Sequence, residues 1–75
     1  MVTAYVLVKA NTGEADRLLD EIASVDGVTD AHIVAGDVDV IAKLDVESPT
    51  DVKDIAANTI QHTDGVEDTE TYISM

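Results

Sequence analysis

Residues 26–46 read DGVTDAHIVAGDVDVIAKLDV, and this stretch decides the fold. Two β-branched-rich runs, 28–35 and 38–46, flank Gly36-Asp37. Runs of that kind around a short glycine-containing break predict a β-hairpin. Asp26-Gly27 closes a segment of different period. There Ala15, Leu18, Leu19 and Ile22 fall at i, i+3, i+4 and i+7, one face of a helix. Glu14 and Asp16 suit the positive end of that helix. Asn11-Thr12-Gly13 separates it from an opening strand, predicted over Val2–Lys9.

Downstream of the hairpin, Ser48-Pro49-Thr50-Asp51 reads as a helix start. Ser48 is the N-cap, and Pro49 takes the first helical position, where its missing N–H costs nothing. Val52, Ile55, Ala56 and Ile60 form the buried stripe. Asp64-Gly65 stops this helix, and a last strand runs over Val66–Ser74. An internal echo supports the division: Asp26-Gly27-Val28-Thr29-Asp30 returns as Asp64-Gly65-Val66-Glu67-Asp68. The order β-α-β-β-α-β predicts an α+β, ferredoxin-like fold: a four-stranded antiparallel sheet with two helices on one face.

Alternation assigns the faces. Val2, Ala4, Val6 and Val8 line one face of the first strand, and Val38, Val40, Ala42 and Leu44 one face of the third. Tyr5, Leu7 and Ile41 project from the opposite face, which no element of the chain covers. A domain of this size buries only about 60% of its surface. A second copy, paired through those three residues in a two-fold homodimer, is therefore expected.

The 75 residues make one domain, 1–75. Sixteen Asp and Glu against four Lys and Arg give a net charge of -12. The 45% hydrophobic content and its periodicity argue against a disordered acidic tail. The acidity disfavours nucleic acid and anionic membranes as direct partners, since both are bound through cations. Only Lys9, Arg17, Lys43 and Lys53 are present, and they are scattered. Without cysteine there is no disulfide framework and no Cys-based metal site. No apolar run spans a bilayer and no leader is evident, so a cytoplasmic location is expected. Abundant Asp, scarce Lys and the absence of Phe and Trp resemble proteins of salt-loving archaea, where salt screens surface carboxylates.

Signals for catalysis are thin. His32 beside Asp30 is the base that a small oxygenase or isomerase would use, but no nucleophile elbow or phosphate loop accompanies it. No catalytic residue, cofactor or metal is assigned. Asp37-Val38-Asp39 lacks the spacing of a calcium loop. Two stretches remain as ligand-binding candidates. Gly36-Asp37-Val38-Asp39 sits at the hairpin turn, where glycine permits positive φ and exposed N–H groups can hold a carboxylate. Thr69 and Thr71 share one face of the last strand and offer two hydroxyls; ordinary β-propensity also accounts for them.

Ala4-Tyr5-Val6-Leu7-Val8, Asp26-Gly27-Val28 with His32-Ile33, Gly36-Asp37-Val38-Asp39, and Gly65-Val66 with Thr69, Thr71 and Ile73 together resemble one family. It is the effector-binding (RAM) domain of the leucine-responsive regulatory protein/AsnC transcription regulators. The resemblance implies a non-enzymatic module that pairs through its sheets into dimers and then into rings, commonly octamers. It implies a small effector, typically an amino acid, bound between dimers by the turn and the last-strand threonines. Carried over, those positions are Gly36, Asp37, Val38, Asp39, Thr69 and Thr71, with Asp39 meeting the α-ammonium. The family often has tyrosine where Val38 stands. The usual helix-turn-helix domain is missing from these residues, which implies a stand-alone form that acts on full-length regulators through mixed oligomers. Two alternatives stay open: an assembly module without ligand, and an ACT-like amino-acid-binding domain using the turn Asn11-Thr12-Gly13.

Overall fold

The computed structural model describes all 75 residues. Strands β1 (Val2–Ala10), β2 (Val28–Ile33), β3 (Val40–Val46) and β4 (Val66–Ile73) form one antiparallel sheet of order β2-β3-β1-β4. Helix α1 (Ala15–Ala23) follows β1. Helix α2 (Pro49–Lys53) follows β3 and runs on as a π-helical segment, Asp54–Ile60. The order is βαββαβ, and the two central strands, β1 and β3, are the most apolar.

The register shows how the layers form. Val6 pairs with Ala42 and Val8 with Val40, and these residues are fully buried beneath the helices. Leu18 and Ile22 of α1 close the core from one side. Val52, Ala56 and Ile60 close it from the other. All eleven buried residues are apolar, and none is aromatic. The odd-numbered positions of β1 and β3 face away: Leu7 opposite Ile41, Tyr5 opposite Lys43, Thr3 opposite Asp45. Nothing in the chain covers them. Tyr5 remains 40% exposed, and Leu7 and Ile41 are half-buried.

Ser48 caps α2 as expected, its hydroxyl accepting the Asp51 N–H at 3.4 Å. Two features differ from the sequence reading. First, the second helix widens into π geometry after Lys53, with Gln61 N–H donating to the Ala56 carbonyl five residues back. The wider turn stacks Val52, Ala56 and Ile60 four apart on the core and turns Ile55 aside, half-buried against Gly27. Second, the hairpin is longer than a tight turn. β2 ends at Ile33 rather than Ala35, and β3 begins at Val40 rather than Val38. The six residues between are bound back on themselves by Val34 N–H to the Asp39 carbonyl, 2.9 Å.

The Asp-Gly echo has a conformational cause. Gly27 (φ +100°) and Gly65 (φ +97°) both hold left-handed backbone at the third position of a turn between helix and strand, closed by Val28 N–H to the Val25 carbonyl and by Val66 N–H to the Thr63 carbonyl. A Cβ on Gly27 would stand 2.6 Å from Ile55 Cδ1, and one on Gly65 2.5 Å from Arg17 Nη2.

Candidate functional site

The connection 34–39 is positioned by its last residue. Beyond Val8 the β1–β3 ladder ends, and the β1–β4 register shifts between Lys9 and Ala10. Asp39 fills the gap. Its N–H donates to the Val8 carbonyl at 2.9 Å, and its carboxylate accepts the Ala10 N–H at 2.8 Å. The side chain thus supplies the acceptor that the next ladder residue would have supplied. This clasp swings Asp37 and Val38 over the end of β1. Val38 therefore lies beside the sheet's open face and does not extend the core row of Val40, Ala42 and Leu44.

A cleft of about 180 Å³ results, lined by Leu7, Lys9, Asp37, Val38, Asp68, Thr69 and Glu70. It gathers a cation (Lys9), three carboxylates and two apolar side chains at one end of the sheet. An α-amino acid carries complementary groups: a carboxylate for Lys9, an ammonium for the acidic side chains, and a side chain for Leu7 and Val38. The cleft is open to solvent, so a partner surface is needed to bury most of a ligand.

Of the turn and last-strand positions, the structure brings Asp37, Val38 and Thr69 together. Gly36 is exposed, has no left-handed φ and lines no cleft. Asp39 is engaged with the backbone. Thr71 pairs with Val6 on the helix side of the sheet and lines a different groove. Lys9, Asp68 and Glu70, which line the cleft, went unremarked in the sequence. Alternation carried the signal for Lys9, which continues the row Thr3, Tyr5, Leu7.

The rest of the open face is polar at its rim. His32 Nε2 lies 3.1 Å from Asp30 Oδ2, with both side chains exposed. The Asp45 carboxylate accepts the Thr3 hydroxyl at 2.6 Å and the Thr29 hydroxyl at 3.3 Å, joining β1, β2 and β3. The Thr3 hydrogen bond, aided by Lys43, holds the Asp45 carboxyl below its ordinary range. On β4, the Tyr72 hydroxyl donates to Glu70 at 2.5 Å, which raises the phenol. No cluster of three or more His, Asp or Glu side chains is placed to hold a metal ion. No helix is long and apolar enough to cross a membrane.

The family model of the Lrp/AsnC ligand binding domain matches residues 3–75. The chain belongs to that family, a regulatory one. Solved structures agree on the fold. TTHA0845 from Thermus thermophilus is 28% identical, with a TM-score of 0.95 over 100% of this chain and 94% of that one. AsnC of E. coli is 24% identical with a TM-score of 0.89, over 99% of this chain and 50% of that one. A transcriptional regulator of Neisseria meningitidis, NMB0573 in complex with L-Met, is 13% identical with a TM-score of 0.86. It is covered over 49% of its length by 99% of this chain. No curated protein sequence matches the chain.

Proposed function

We propose that this domain is the amino-acid effector-binding and assembly module of an Lrp/AsnC-type regulator. The carrying observation is the cleft where Lys9, Asp37, Val38 and Thr69 meet, with charges of both signs flanking Leu7. The L-Met complex of the Neisseria regulator lends the effector class by analogy. In this reading the open sheet face pairs two copies through Tyr5, Leu7 and Ile41. Dimers then close into a ring, octamer-like, that covers the cleft and admits full-length regulators as mixed partners. The module touches no DNA itself, because its surface is too acidic, and it works in a salt-rich, haloarchaeal-type cytoplasm. The turn Asn11-Thr12-Gly13, where an ACT-like ligand would sit, lines none of the three clefts.

Calorimetric titration with each of the twenty amino acids in molar KCl tests the reading. At least one should bind, and Lys9→Gln should weaken it about tenfold by removing a charge-assisted bond. Intact oligomers with no heat from any amino acid would favour the ligand-free assembly module.

A further inference from the structure

Helix α2 and the first turn of the π-helical segment form one wall of a groove of about 290 Å³, and β4 forms the other. Its lining is Pro49, Val52, Lys53, Ala56, Ala57, Thr71 and Ile73. The space exists because two alanines stand where the widened turn faces the strand. π segments recur at functional positions, where the extra residue reshapes a surface. The groove is open to solvent and lies at the lower edge of the size range of small-molecule sites, so it suits a short ligand held weakly.

The charge around the groove is unusual for this chain. Sixteen of 75 residues are acidic, yet none lines it. Lys53, one of only four cations, does. It forms no ion pair, since those within 4 Å are Arg17–Glu14, Arg17–Glu21 and His32–Asp30. The Thr71 hydroxyl also lacks an intramolecular partner. The other clefts differ. One, near Gly27, is lined by four carboxylates and no cation. The Lys9 cleft mixes both signs and suits a zwitterion. An ammonium group would find no carboxylate in the α2–β4 groove, whereas an anion would meet Lys53 and the Thr71 hydroxyl over Val52, Ala56 and Ile73.

We infer that this groove is a second small-molecule site, selective for a short aliphatic carboxylate that carries no ammonium group. It lies on the helix side of the sheet, so pairing through the open face leaves it accessible. Its occupancy is independent of the Lys9 cleft, and either site can fail without the other.

The test follows amide resonances of the full chain during titration with isocaproate, with its neutral amide isocaproamide, and with leucine. Isocaproate should shift Val52, Lys53, Ala57 and Ile73, and isocaproamide should bind there about tenfold more weakly. Leucine should be weaker than isocaproate at these resonances. Lys53→Gln, an exposed substitution, should erase the preference of acid over amide, and Ala57→Leu should block both. Equal affinity for acid and amide, preference for leucine at the groove, shifts confined to Leu7, Lys9 and Val38, or no shift at tens of millimolar isocaproate would each overturn the assignment.

Discussion

Single residues set the local geometry of this domain. Gly27 holds a left-handed backbone against the Ile55 side chain, so Gly27→Ala meets conformational strain and a steric overlap together. The combined cost is about 2–4 kcal/mol. For a domain of this size each kcal/mol lowers Tm by about 4–8 °C, which thermal unfolding will read directly. Asp45 offers a second test. Its carboxyl is depressed because the ionised form accepts the Thr3 hydroxyl. The stabilisation is therefore present above the unfolded-state pKa and is lost as pH falls through the folded one. Carbon-13 titration should show Asp45 ionising below the ordinary aspartate range, and Thr3→Val should return it toward the ordinary value. The Gly27 turn was legible in sequence because Asp-Gly after a helical period has one common meaning. The Asp45 contacts were not, since Thr3, Thr29 and Asp45 become neighbours only through strand order.

At the scale of elements, the switch from period two to period 3.6 and back determined the strand and helix order. The π segment left no such trace. Residues 54–60 contain neither glycine nor proline, and the wider turn is selected by how Val52, Ala56 and Ile60 seat on the sheet. The 34–39 connection is the instructive case. Its residues read as a two-residue hairpin, but the Asp39 carboxylate serves the β1 backbone and lengthens the loop. Asp39 is thus a positioning residue for the Lys9 cleft. Asp39→Asn keeps an acceptor for the Ala10 N–H and should nearly preserve amino-acid affinity and stability. Asp39→Ala should lose about 1 kcal/mol of stability and weaken binding. Equal loss in both variants, read by calorimetry, would return Asp39 to direct contact with the ammonium. Half of the carried-over positions reach the cleft. Thr71 does not: it shares the helix-side pleat with Thr69 but lies two residues farther from the hairpin connection, against Val6, and lines the groove there with Ile73.

On the scale of the whole molecule, an eleven-residue core without aromatics must support a net charge of -12. The open face carries Lys9 and Lys43 around Tyr5, Leu7 and Ile41, but also Asp30, Asp45, Asp68 and Glu70, so like-charged copies meet there with salt screening them. Leu7→Asp should convert the assembly to monomers in sedimentation at molar KCl, while Tm of the unmodified chain should climb steeply between dilute and molar KCl. The strand order carries one more consequence. It leaves β2 and β4 as free edges, each an unpaired template on which fibrous aggregates could grow. Asp30 on one edge and Glu67, Asp68 and Glu70 on the other repel strand addition in dilute solution. Molar salt removes that repulsion. What persists is shape: the register slip between Val28 and Asp30 sits within the β2 edge itself, and a slipped strand is a poor template. In brine, resistance to fibrillation passes from charge to the kink in the backbone.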